Sequence, residues 1–175
     1  GLIEYECDNL FPEQSFASRV QKFSPGSYAV TEAPITITAK QSISFTVVVY
    51  PTFLGKREQS LIDFGNFNLS LDKKGSAVLK TNQGQAESVI TAVEKFWYLV
   101  EATVTNLGHM RVELNRLGED KNSEPSTTQL DMQIEMSQTA PVFIASRCAD
   151  NRIQNCFHGK IEAPQILADN QPVAL

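Results

Sequence analysis

The chain has 175 residues, is 42% hydrophobic and carries a formal net charge of -5, so it can bury the core of a single domain. The acidic balance leaves no basic footprint for nucleic acid or anionic lipid, and neither is expected as a partner. No apolar run approaches the roughly 18 to 20 residues of a membrane helix, and the N-terminus lacks the basic and apolar regions of a signal peptide; no membrane association is expected, and the chain is expected to be cytoplasmic, with secretion as the alternative.

In chain order, residues 1–18 read as a lead-in segment and Ser24-Pro25-Gly26 as a turn. Residues 35–38 alternate apolar and polar, as a half-buried strand requires. Residues 45–51, Phe-Thr-Val-Val-Val-Tyr-Pro, form a strand of β-branched residues that Pro51 should end, because it has no amide hydrogen for the ladder. Residues 59–66 and 67–71 read as a hairpin. Turns follow at 72–75, 82–84 and 106–108, each with a glycine. Residues 96–105 and 141–145 are rich in consecutive apolar residues and are expected to be covered on both faces. Residues 110–114 and 130–136 alternate, and each is read as a strand with one wet face. Between them residues 115–129 form the longest stretch without an apolar pattern, expected to be a solvated loop. Helical periodicity is almost absent, so the spacing predicts an all-β, two-sheet antiparallel β-sandwich. Phe45, Val47, Leu69, Leu71, Trp97, Val112, Leu114 and Phe143 are its expected core.

Three cysteines, Cys7, Cys148 and Cys156, cannot all pair. Cys148 and Cys156 bracket a polar loop and are expected as reduced thiols, with a bridge between them as the alternative. No set of residues sits at metal-ligand spacing. Asp150, with Asn151 and Asn155, supplies too little charge for Ca²⁺.

No catalytic set is read either. Asp131 and Glu135, four residues apart on a strand, would stand about 13 Å apart, beyond the separation of a glycosidase pair. Trp97 is expected to pack inward rather than to present a ring to a sugar. His109 and His158 lack a nucleophile motif, and a Cys156–His158 pair lacks an orienting group. Asn68-Leu-Ser70 matches the glycosylation sequon. The residues expected to contact a ligand, if the surface binds one, are Asn66, Arg147, Asp150, Asn151 and Arg152.

The order of strands, with Trp97-Tyr98 and residues 157–162, Phe-His-Gly-Lys-Ile-Glu, resembles the laminin-G-like, concanavalin A-like jelly roll. Residues 21–28, with the pattern Gln-x-Phe-x-x-Gly-Ser-Tyr, and residues 157–164, Phe-x-Gly-Lys-Ile-Glu-x-Pro, are similar to the jelly-roll domain of the N,N-dimethylformamidase large subunit. That family hydrolyses an amide with an iron centre held in a separate downstream domain, and nothing in this chain matches the iron site. The resemblance implies that residues 1–175 are one domain excised from a larger protein. It implies a non-catalytic accessory or interaction module of an amidohydrolase, without a cofactor of its own, whose partners are neighbouring domains or subunits. The alternative is a lectin-like domain whose partner is a glycan.

Overall fold

The computed structural model describes residues 1–6, 27–120 and 124–175. Among them the strands run β1 (Leu2–Glu6), β2 (Ser27–Thr31), β3 (Ile35–Ile37), β4 (Ser42–Pro51), β5 (Gln59–Phe64), β6 (Phe67–Leu71), β7 (Ser76–Lys80), β8 (Gln85–Thr91), β9 (Tyr98–Thr105), β10 (His109–Arg116), β11 (Ser126–Gln129), β12 (Gln138–Ala140), β13 (Val142–Ile144), β14 (Arg147–Ala149), β15 (Arg152–Gln154), β16 (Gly159–Ala168) and β17 (Gln171–Pro172). No helix occurs among the described residues. The turn expected at 24–26 and Cys7 lie outside them.

Two antiparallel sheets carry the fold. One has the order β1-β2-β13-β5-β6-β7-β8, the other β11-β10-β9-β4-β16-β17. Alternation explains which side chains meet between them. Phe45, Val47 and Val49 of β4, Val100 and Val104 of β9, and Val112 and Leu114 of β10 point inward and are fully buried. They face Phe64, Phe67, Leu69, Leu71 and Leu79 of the other sheet. Phe45 and Phe67 join the layers, with ring centroids 6.0 Å apart and tilted by 51°, a favourable aromatic arrangement.

The turns form for local reasons. Asp72 ends β6, and its carboxylate accepts from the amides of Lys74 at 2.8 Å and Ser76 at 2.9 Å, an Asx turn. At the β9–β10 turn Gly108 has φ 84°, and a Cβ there would lie 2.6 Å from the Leu130 carbonyl oxygen, so only glycine fits without movement.

Several expectations are corrected. Trp97 and Phe143 are half-buried; Tyr98, Val142 and Ile144 take the core positions instead. In each case the sequence holds adjacent apolar residues and the register selects one: Tyr98 pairs with Val49 and Arg116, which turns Trp97 to the outer face. For the same reason β9 is not covered on both sides, since Leu99, Glu101, Thr103 and Thr105 alternate outward and remain half-exposed. Nor is β13, whose burial alternates likewise. Residues 130–136 form no strand. Ile134 and Met136 are nevertheless buried, and the segment is held by the Leu130 amide on Gly108 and the Ile134 amide on Asn106. The expected loop 115–129 contains β11, which pairs with β10, and Leu2–Glu6 of the expected lead-in pairs with β2.

Cys156 is disulfide-bonded and Cys148 is a free thiol. The bridge therefore does not close the 148–156 loop, and the expectation of reduced thiols fails for Cys156. That bond also removes Cys156 as a nucleophile for His158.

Candidate functional site

The expected ligand residues fall in two places, and most serve the fold. Asp150 and Asn151 occupy the tip of the β14–β15 hairpin with φ 52° and 58°, the left-handed conformation that a two-residue hairpin turn demands. Arg152 is exposed beside them. Asn66 sits in the β5–β6 turn, where its amide donates to Gln138 Oε1 at 2.9 Å and its Oδ1 accepts from Asn82 Nδ2 at 3.0 Å. Arg147 alone reaches a charged cluster, its Nε 4.0 Å from Asp63 Oδ1.

That cluster lies on the outer face of the seven-stranded sheet. Asn68 Nδ2 donates to Ser60 Oγ at 2.8 Å and to Asp63 Oδ1 at 3.0 Å. Ser70 Oγ and Lys80 Nζ both donate to Glu58 Oε1 at 2.7 Å. The β14–β15 hairpin closes over it through the Cys148 amide, 3.4 Å from Asp63 Oδ2. Burial pushes the Asp63 carboxyl up, against the pull of Asn68, the Cys148 amide and Arg147. Burial acts on Glu58 the same way, but the hydrogen bonds from Lys80 and Ser70 and the charges of Lys80 and Arg147 outweigh it and hold its carboxyl down. These groups satisfy one another, as buried polar groups must, and the cluster anchors the hairpin. Because Asn68 is buried within it, the sequon at residues 68–70 is inaccessible to a glycosylating enzyme in the folded chain.

Among the described residues the outer face of the six-stranded sheet is open, with Leu99, Glu101 and Thr103 half-exposed on it. In register across it stand Gln165, Thr46, Glu101 and Glu113. The next row along the strands is Leu167, Ser44, Thr103, Arg111 and Thr127. Glu101, Ala102, Thr103, Arg111 and Glu113 line a depression of about 140 Å³. Within it Arg111 Nη2 donates to Glu113 Oε2 at 3.2 Å, and Asn115 Nδ2 donates to Glu113 Oε1 at 3.0 Å. Ser44 and Thr103 hydroxyls bond at 2.9 Å. Toward the other end of β4 the face turns apolar through Val48 and Leu99 and reaches Tyr50, whose ring lies 5.2 Å from that of Trp97, tilted by 48°. Lys160 stands over Tyr50 at 5.5 Å and Arg116 over Phe96 at 3.5 Å. From Ser44 to Tyr50 the strip extends about 20 Å.

None of these residues was among the expected ligand residues. Their juxtaposition needs the order β10-β9-β4-β16, which brings together strands far apart in the chain. A cleft of about 270 Å³ between the sheets is lined mostly by apolar residues, among them Leu2, Ile144, Phe157 and Ile161, with Tyr28 but no charged or amide side chain among the described residues. Asp131 and Glu135 are exposed on the non-strand segment 130–136 and belong to neither face.

No protein-family model matches the chain, and no curated protein matches it in sequence. Solved structures do. A SAP-like pentraxin from Limulus polyphemus aligns with a TM-score of 0.56 at 14% identity, covering 84% of this chain and 71% of its own. A putative carbohydrate binding protein from Bacteroides ovatus aligns at 0.54 with 10% identity, covering 79% and 42%. Domains LG4-5 of the mouse laminin α1 chain align at 0.53 with 11% identity, covering 82% and 41%. The fold is a laminin-G-like, concanavalin A-like jelly roll. This chain spans less than half of the last two relatives' lengths, and at these identities the likeness is one of fold.

Proposed function

We propose that this jelly-roll domain binds carbohydrate through the outer face of its six-stranded sheet. The observation that carries this reading is the continuity, on one face, of the half-exposed Tyr50–Trp97 pair with the row Gln165, Thr46, Glu101 and Glu113. A sugar ring offers an apolar face of C–H groups and a rim of hydroxyls. Aromatic rings suit the first, and carboxylate, amide and hydroxyl groups suit the second, accepting from and donating to hydroxyls in turn. The Bacteroides ovatus neighbour, described as a putative carbohydrate binding protein, supports the same ligand class.

A glycan array tests this. The wild-type domain is expected to be retained on a defined subset of glycans, and Trp97→Ala to weaken retention about tenfold or more, the loss expected for one stacking ring at an interface. Retention of no glycan, or retention unchanged in Trp97→Ala, refutes it.

An accessory role in a dimethylformamidase-like amidohydrolase rests on the sequence resemblance alone, since no comparison links the chain to that enzyme. The disulfide at Cys156 supports an oxidising compartment, and with it the secreted alternative over the cytoplasmic one.

A further inference from the structure

We propose that Glu101 makes this groove selective for uncharged glycans, an inference that rests on the carbohydrate reading above and names the ligand class of the same site. Glu101 and Glu113 stand directly opposite each other on β9 and β10. Like charges in that position repel across the strands. Glu113 is offset, because Arg111 pairs with it at 3.2 Å and Asn115 donates to its other oxygen at 3.0 Å. Glu101 has no such partner in its row. Its other neighbour, on β4, is Thr46, and beyond Thr46 stands Gln165. Both are neutral.

The remaining cations nearby are placed elsewhere. Arg116 stands opposite the core residue Tyr98 and so has inward parity, and it is paired with Glu119 at 3.1 Å and lies over the Phe96 ring. Lys160 lies over Tyr50 at the aromatic end, with Glu162 two residues on along the same face. The centre of the groove thus presents one uncompensated carboxylate beside a hydroxyl and an amide. For a neutral sugar this is favourable, since a carboxylate accepts charge-assisted hydrogen bonds from hydroxyl groups. A uronate, sialyl or sulfate group seated in the same row meets a like charge with no free counter-ion among the described residues of that row, and repulsion of this kind discriminates between ligands of equal shape. Arg111 does not reverse the sign, because its charge is already engaged by Glu113.

The test is an array carrying neutral glycans together with uronate, sialylated and sulfated ones, probed with the wild-type domain and two variants whose folding is checked by thermal melting. Wild type is expected to favour neutral glycans over charged counterparts by about tenfold or more. Glu101→Gln removes the charge, and Thr46→Lys neutralises it from the adjacent strand, so each is expected to bring the ratio to within about threefold. Wild-type retention dominated by anionic glycans overturns the inference while leaving the carbohydrate reading intact, as does an unchanged ratio in both variants. Retention of no glycan by the wild type overturns both.

Discussion

His158 supplies a prediction whose sign and size follow from its surroundings. Its side chain is buried, its ring lies 5.5 Å from that of Phe53, and its amide donates to Gln59 Oε1 at 2.8 Å. Burial and then the nearby Arg57 charge push its pKa down from 6.5 to about 4. Between those values the unfolded chain binds a proton that the folded chain refuses. Stability is therefore fully present above pH 6.5 and is lost as pH falls toward 4. Each pH unit in that window removes up to about 1.4 kcal/mol, roughly 3 kcal/mol in all. Relaxation of the fold around the protonated ring reduces this to about 1.5 kcal/mol. Other groups titrate lower or in the opposite sense: Asp63 is raised, and Glu58 and Asp169 are lowered. The comparison must therefore be with His158→Gln, which keeps them all and removes only the imidazole. Urea unfolding at pH 7, 5.5 and 4.5 should show wild type losing stability faster than the variant by about that amount. Parallel losses in the two proteins would refute the assignment.

Three further outcomes follow together. Phe67→Ala should cost about 3 to 5 kcal/mol in urea unfolding, because the ring is fully buried between the sheets, whereas Phe143→Ala on the outer face should cost markedly less; equal costs would contradict the parity described. Thiol titration of the denatured, unreduced protein should return one free thiol, at Cys148, and three would contradict the bridge at Cys156. Gly108→Ala should destabilise by about 1 to 3 kcal/mol through its positive φ and its contact with the Leu130 carbonyl, and a neutral result would contradict the turn geometry.

Much of the sandwich was legible because its strands alternate. Residues 67–71 and 110–114 place their apolar residues on the core side as read, and the turns at 72–75 and 106–108 carry the Asx side chain or the positive-φ glycine that their sequences announce. Parity failed where two large apolar residues adjoin, as at Trp97-Tyr98, because either could face the core until strand pairing chose. Polar strands were missed for a related reason. Residues 126–129 have no apolar face, and their strand exists through pairing with β10. The hairpin 147–154 was likewise hidden, being held by the buried Asp63 rather than by a pattern of its own. The open groove was out of reach for a topological reason. Thr46, Glu101, Glu113 and Gln165 are up to 119 residues apart in sequence and meet only through the strand order of the six-stranded sheet.

The central claim is that Trp97 lies on an open binding face and touches the bound sugar, and the protein offers a direct reporter because it contains one tryptophan. Its emission should be quenched by acrylamide in the free domain, as for a half-exposed ring. It should then change saturably and become shielded as a retained glycan is titrated in, at the concentration where calorimetry detects binding. Calorimetric binding without any change in Trp97 emission or quenching would contradict the account.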